Sequence, residues 1–554
     1  MNIIDIISKE FNQFLIDYFK ITPELASKCS LELNIDPAKE NFGDLSSNCA
    51  LILTKELKKN PRELATEVTN NFKNNYIEKI EVAGPGFLNL FLTNTAYQEL
   101  CKNIFESDQD FFKPNNISSQ KYNIEFISVN PTGPIHFGHG RGAIIGDVLT
   151  NILKFTGNQV TKEYYINDAG AQITKLGNSF KIRCQQQLGQ AVELPEDAYH
   201  GQYLTDLAIE TVKLYCKDDK STKEFLKKDD KFFQEYAKEK MLELIKKTVA
   251  DYGISFDLWF SEKSLHESGA IKQALDILEK NGYLFEQDGA KWFKSTQFGD
   301  DKDRVVIKST GEPTYLAPDI AYLENKASRG FDNIVMLLGH DHHSYAVRLE
   351  GLRQALGVKA NLKVILFQLV KMKASGEIVR MSKRAGNIVT LDDIIEVVGK
   401  DVARFFYLNR KADAQLEFDL DLASKKTEEN PVYYAQYAYV RTKSIIEKAK
   451  LTPELSNITS QDAQYIEEPE HLLLKKIIQL KDILQNISQN LQTHVLAYYT
   501  VELATTFHSY YSKNRVIDLE NIAQSRGRLL LIMELRNTLG LCLDILGLSK
   551  PEKM

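Results

Sequence analysis

Cysteine is scarce in this chain of 554 residues. The six thiols (Cys29, Cys49, Cys101, Cys184, Cys216, Cys542) lie far apart, none in a C-x-x-C pair and none near a histidine at zinc-finger spacing. No structural zinc is expected, and a reducing cytoplasm is the simplest home. Long apolar runs are missing as well: none approaches the roughly 18 uninterrupted residues of a membrane span, so no membrane role is expected. A basic excess, the usual mark of a nucleic-acid binder, is also absent, since the formal net charge is −6. That absence excludes little, because a large protein can set a local basic face against an acidic remainder. No internal repeat or low-complexity tract stands out. The opening MNIIDIISKEFNQF has an apolar period of three to four with no small-residue cleavage site behind a positive segment, and reads as an ordinary first helix.

What is present is soluble globular composition, 43% hydrophobic and 26% charged, in a chain too long for one core. Residues 1–115 alternate short helical patterns with Gly and Asn breaks and end in EVAGPGFLNLFL, which suggests a small α+β domain. FFKPNNISSQ reads as a linker. From Tyr122 the pattern is strand (YNIEFISV), Gly-rich turn (NPTGPIHFGHGRG), helix (AIIGDVLTNILKFTG) and strand (QVTKEYYI), a βαβ unit of nucleotide-binding type. Residues 116–395 are assigned to this α/β domain. Charged amphipathic helices over about 171–293 read as an insertion between two halves of one sheet, after which DRVVIKS, NIVMLLG and VILFQLV suit buried parallel strands. Residues 396–429 form a connecting region, and 430–554, with helical periodicity only, a separate bundle.

The strongest local signal is His136-Phe137-Gly138-His139-Gly140-Arg141, between a strand and a helix. Orphan N–H groups and the positive end of the helix dipole favour a phosphate there. Gly138 and Gly140 lack a Cβ, so a purine or phosphate can approach the backbone. Two imidazoles three residues apart in a helical first turn share a side and can hydrogen-bond the oxygens of a phosphate in its transition state. The alternative is a glycine-rich helix entry with two incidental histidines. A second signal, Arg380-Met381-Ser382-Lys383-Arg384-Ala385-Gly386-Asn387, is a cationic cluster flanked by flexible residues. Such a loop can close over a triphosphate and neutralise departing pyrophosphate, or it can be a solvated basic loop.

Together, H-x-G-H followed by M-S-K resembles the signature pair of class I aminoacyl-tRNA synthetases. Longer strings resemble the arginyl-tRNA synthetases in particular: EFISVNPTGPIHFGHGRGAIIGD, EYYINDAGAQI, FDLWFSE, DRVVIKSTGEPTYLAPDIAY, GHDHHSY, MSKRAGNIVTLDD, NPVYYAQYAYVR and the terminal GLSKPEKM, with EVAGPGFLNLFL similar to that family's N-terminal extra domain. The resemblance covers nearly the whole chain. It implies a Rossmann-like parallel-sheet catalytic domain, an N-terminal α+β domain reaching the tRNA elbow, and a C-terminal all-α bundle that binds the anticodon. It also implies an arginine–tRNA ligase that uses ATP with Mg2+ to form arginyl-adenylate and charges tRNA(Arg), in the cytoplasm and as a monomer.

Residue by residue, the resemblance places His136 and His139 on ATP and Lys383 on its phosphates, with Gly138, Gly140, Met381, Ser382 and Arg384 around the nucleotide. Many arginyl enzymes lack the usual lysine of the second motif; this chain keeps it, with Arg380 in place of Lys and Arg384 in place of Ser. A planar guanidinium needs forked anionic acceptors. By resemblance, Glu125 and Asp319 read it, Tyr315 walls the alkyl stem, Asn130 holds the α-amino or carboxylate end, and Asp341 or His342 lines the same pocket. Asp319 as a helix N-cap and Glu125 as a strand-end charge are the plain structural readings of those two residues. Asp168 and Gln172 suit either the site or a turn. Phe87 and Asn89 are assigned to the tRNA elbow, and Tyr433, Tyr437, Tyr498, Tyr499, Phe507, Tyr510 and Tyr511 offer stacking surfaces or core. The modest insertion and scattered cysteines disfavour class I synthetases that edit or bind zinc. The complete set of signature residues disfavours an RNA-binding relative without activity.

Overall fold

The computed structural model describes residues 2–35, 42–114, 118–379 and 389–554. The chain divides into two units, Ser118–Lys425 with Gln492–His494, and Met1–Ile117 with Lys426–Leu491 and Val495–Met554.

In the first unit, β1 (Lys121–Glu125), β2 (Gln159–Ile166), β3 (Leu258–Ser261), β4 (Asn333–Gly339) and β5 (Asn361–Phe367) form an all-parallel sheet in the order β5-β4-β1-β2-β3. Burial explains the order. The run NIVMLLG is covered over Ile334–Leu337 and takes an inner place, whereas LWFS and NLKVILF are only partly covered and lie at the edges. The chain leaves β1 toward β2, and β4 arrives on its other side. The carboxyl end of β1 is therefore the switch point of the sheet, where open α/β folds leave a crevice. Helix α1 (Gly140–Phe155) crosses from β1 to β2 with nearly every side chain buried. It lies so close to the sheet that a Cβ at Gly146 would stand 2.3 Å from Phe126 Cγ.

One expectation is corrected. DRVVI does not join the parallel sheet: Arg304–Ile307 pairs antiparallel with Ala290–Phe293, which pairs with Leu284–Gln287. The cause is local. Asp288 and Gly289 both have positive φ, 54° and 73°, and make a two-residue hairpin turn. The sheet also takes its edge strand β3 from inside the stretch 171–293. Four helices of that stretch, Ala171–Gln187, Gln202–Tyr215, Asp219–Leu226 and Asp230–Asp251, pack around Phe180, Phe225 and Phe233.

The second unit joins the two ends of the chain. An antiparallel sheet (Glu32–Leu33, Leu45–Ser47, Phe87–Leu92, Ile77–Ala83 in spatial order) and the helix Asn94–Ser107 accompany the C-terminal helices Pro431–Ala449, Glu468–Asn490 and Ile522–Leu546. Tyr97 stacks on His471 with ring centroids 3.6 Å apart, and Lys475 and Lys481 reach Asp44 and Asp5, each at 2.9 Å.

Gly146→Ala tests the close packing of α1. Overpacking there should cost about 1–3 kcal/mol, read as a lower midpoint in chemical denaturation followed through the first unit, and an unchanged midpoint would show that α1 is free to shift.

Candidate active site

The chain leaves β1 through a strained turn. Ile127 and Ser128 both take positive φ, 68° and 42°, a conformation that costs a non-glycine residue about 1–3 kcal/mol and persists only when its surroundings impose it. The surroundings do so here: Ser128 Oγ donates to Glu125 Oε1 at 3.1 Å and accepts the N–H of Tyr165 at 3.1 Å. The strain is thus tied to the orientation of Glu125.

Farther along the chain, His136 caps the short 3-10 turn Phe137–His139 that opens α1. Its Nδ1 accepts the Gly138 N–H at 3.1 Å, which places the proton of the neutral ring on Nε2. The rings of His136 and His139 are 6.0 Å apart, both partly exposed. This turn is fastened to the chain that follows the second signature. The Phe137 N–H donates to Val389 O at 3.0 Å, the Leu391 N–H to Ile135 O at 2.9 Å, and His136 bridges Thr390. Thr390 and Asp393 then form a capping box on the helix Leu391–Val398. Arg380, Met381, Ser382, Lys383, Arg384, Ala385, Gly386 and Asn387 lie outside the described residues. Gly140 faces protein: a Cβ there would stand 2.5 Å from Tyr407 Cζ and 2.7 Å from Leu391 Cδ2. At Gly138 a Cβ would stand 3.1 Å from His136 Nδ1.

Two acidic pairs of opposite character lie beyond the end of β1. The first is neutralised. Glu125 and Glu163 share Lys326, wholly buried on α2 (Leu316–Ser328), at 3.0 and 3.4 Å, and Arg329 forks onto Glu163 at 2.7 and 3.0 Å. The Tyr322 hydroxyl lies between them, 2.6 Å from Glu163 and 3.0 Å from Glu125. Burial alone would raise the Glu163 carboxyl, but Lys326, Arg329 and Tyr322 hold it at about 2. The second pair, Asp319 and Glu262, forms no ion pair with a lysine or arginine among the described residues. Burial, and then the neighbouring Glu262 and Glu125, push Asp319 up to about 7 against the hydrogen bond from Tyr345 and the more distant Arg348. Arg348 is itself engaged with Asp300 at 3.3 Å. Glu262 is raised as well, by burial first, while Tyr165 hydrogen-bonds it and His266 stands 3.8 Å away. The Asn167 amide, oriented to satisfy its neighbours, donates to Glu262 Oε2 at 3.0 Å and lies 3.2 Å from the Asn130 side chain. Two carboxylates with no lysine or arginine partner among the described residues can take a cation from outside.

The structure thus brings together Glu125, Asn130 and Asp319. Tyr315, at the start of α2, is 87% exposed and walls nothing in this arrangement; Asp341 and His342 are exposed beyond β4. Asp168 accepts from Ser261 Oγ and the Lys263 N–H and ties the ends of β2 and β3, and Gln172 is exposed. Phe87 is exposed whereas Asn89 is buried in its sheet. Tyr499, Phe507 and Tyr510 belong to the core, while Tyr437 and Tyr511 lie against Arg441 at the surface. Glu262 was not singled out from FDLWFSE. Its signal was a carboxylate directly after a short aromatic strand, a position that matters only once β3 is seen to end beside β2.

Three family models match the chain: the arginyl-tRNA synthetase N-terminal domain over residues 2–92, the class I tRNA synthetase (R) catalytic domain over 101–416, and the DALR anticodon binding domain over 435–554. The arginine–tRNA ligase of Desulforamulus reducens is 42% identical over 529 residues, covering 94% of this chain and 93% of that protein. The arginine–tRNA ligase of Caldanaerobacter subterraneus is 42% identical over 525 residues, with 94% and 93% covered. The fold is similar to that of the arginyl-tRNA synthetase of Thermus thermophilus, with a TM-score of 0.75 at 19% identity over the whole of both chains.

The raised carboxyls give the Asp319–Glu262 pair a pH signature. Folded Asp319 keeps a proton at pH values where the unfolded chain has lost it, so its contribution to stability declines as pH rises from about 4 to 7. A cationic ligand at this pair would run the other way, because it favours the ionised carboxylates. The apparent affinity for arginine, measured by calorimetry, should weaken as pH falls through 7 with release of up to one proton per arginine bound above that of the buffer blank. Affinity independent of pH between 6 and 8 would show that the pair is already fully ionised.

Proposed function

The chain belongs to the arginyl-tRNA synthetases, and from that membership we propose that it is an ATP-dependent arginine–tRNA ligase whose guanidinium site is the Asp319–Glu262 pair. The observation that carries the reading is the charge balance at the end of β1, where one acidic pair has its cations and the other has no lysine or arginine partner among the described residues. Arginine supplies the missing positive charge, and its planar fork matches two carboxylates. Glu125, its charge offset by Lys326, and Asn130 hold the α-amino and carboxylate end. The switch-point crevice then directs that carboxylate toward the turn bearing His136 and His139.

In the reaction, a carboxylate oxygen of arginine attacks the α-phosphorus of ATP in line, forming arginyl-adenylate as the bond to pyrophosphate breaks. A hydroxyl of the terminal tRNA ribose then attacks the arginyl carbonyl and AMP leaves. His136 and His139 donate to phosphate oxygens as charge develops there, with the Nε2 proton of His136 directed by its Gly138 contact. Mg2+ arrives on the nucleotide as part of the substrate. Lys383, with Met381, Ser382 and Arg384, is assigned to the phosphates from the sequence pattern, and Gly138 and Gly140 to the turn beneath the nucleotide. Phe87 is the exposed candidate for the tRNA elbow, and Tyr437 with Tyr511 for stacked anticodon bases. We read the protein as a monomer, and six free thiols are in keeping with a reducing cytoplasm.

Arginine-dependent pyrophosphate exchange with tRNA present tests the assignment. Arginine alone among the amino acids should support exchange. Glu262→Gln and Asp319→Asn should each raise the KM for arginine about 10- to 100-fold, the worth of one charge-assisted hydrogen bond, with the KM for ATP unchanged. Exchange supported by another amino acid, or unaltered arginine KM in both variants, would overturn it.

A further inference from the structure

The turn Phe137–His139 is gripped from beneath by a helix far away in sequence. Helix α3 (Lys400–Leu408) packs on the first half of α1 through two fully buried side chains, Arg404 and Tyr407, three residues apart and therefore on one face. Arg404 pairs with Asp147 of α1 at 2.7 Å and donates to Tyr252 O at 2.8 Å. Tyr407 reaches the turn itself: its hydroxyl donates to Phe137 O at 2.7 Å. That carbonyl also accepts the Gly140 N–H that closes the 3-10 turn, so both of its lone pairs are engaged. The Tyr407 ring fills the space that a side chain at Gly140 would need. The residue between the two imidazoles is thus fixed by its backbone carbonyl to one phenol.

We propose that Tyr407 is a positioning residue for the adenylation step, setting the height and tilt of the turn that carries His136 and His139. This rests on the reading that those histidines act on ATP. Arg404 anchors α3 to the body of α1, so Tyr407 is the adjustable end of a two-point clamp. Without its hydroxyl, Phe137 O keeps only the intraturn bond and the turn can rock on α1. A displacement of a few tenths of an ångström to 1 Å at the imidazoles is enough to misplace donors on a transferring phosphate and costs up to about 100-fold in rate. The arginine pair is untouched, because Asp319 stands on α2 and Glu262 on the short helix Glu262–Glu267 that follows β3, neither of which Tyr407 bonds.

The experiment measures pyrophosphate exchange and thermal unfolding of the full-length protein with Tyr407→Phe, which keeps the ring. Tyr499→Phe is the reference, since it removes a buried phenol from a backbone carbonyl (Lys476 O, 2.8 Å) in the other unit. His139→Ala is run in parallel. Tyr407→Phe is expected to lower kcat about 10- to 100-fold, with the KM for arginine within about twofold of the parent and a melting shift comparable to that of Tyr499→Phe, whose kcat stays within about twofold. A kcat for Tyr407→Phe within about twofold of the parent, or one lost only in proportion to the folded fraction, overturns the proposal. If exchange survives in His139→Ala, the histidine reading fails instead; if it is abolished there while Tyr407→Phe is normal, only the positioning role fails.

Discussion

A short stretch of backbone pairing, Ile135–Phe137 against Val389–Leu391, is the constraint on which the rest of the first unit depends. It makes two segments more than 250 residues apart neighbours at the switch point of the sheet. Two backbone hydrogen bonds contribute only about 0.5–1.5 kcal/mol each, too little to close so long a loop unaided. The pairing persists because the surrounding groups over-determine it. Thr390 and Asp393 cap the helix that follows, Tyr252 donates to Leu391 O at 3.0 Å, and Tyr407 holds Phe137 O from α3, which Arg404 anchors to Asp147 of α1.

Charge is arranged around this join with the same economy. At the base of the site, Glu125 and Glu163 stand against Lys326 and Arg329, two carboxylates against two cations, with Tyr322 and Asn123 filling the remaining hydrogen bonds. Such a buried network is costly to break but sums to no charge, so it fixes the position of Glu125 without leaving a net charge to be met. The neighbouring Asp319 and Glu262 have no such lysine or arginine partner among the described residues, and burial beside Glu262 pushes Asp319 up to about 7. A substrate that brings a permanent positive charge relieves the conflict, whereas an isosteric neutral side chain would leave it in place.

Much of this was legible in the sequence. The strand–turn–helix–strand order from Tyr122, the histidine pair at the start of α1 and the helical C-terminal region follow from period and capping alone, because the apolar spacing is unambiguous there. DRVVI misled because a four-residue apolar strand looks alike in a parallel sheet and in a hairpin; the Asp288–Gly289 turn was the deciding signal. Glu262 and Lys326 were invisible for another reason. Each is an ordinary charge on a helix until the order of the sheet sets them beside Tyr165 and Glu125. The strain at Ile127 and Ser128 has no sequence mark at all, since neither residue is one that favours positive φ.

On the proposed reading, the turn bearing His136 and His139 meets the nucleotide while Asp319 and Glu262 meet the guanidinium. The most direct measurement is a crystal structure with a non-hydrolysable arginyl-adenylate analogue. The phosphate-mimicking group is expected within hydrogen-bond distance of His136 or His139, and the guanidinium forked onto Asp319 and Glu262. An analogue whose guanidinium lay outside that pair, or whose phosphate mimic faced away from both imidazoles, would contradict it.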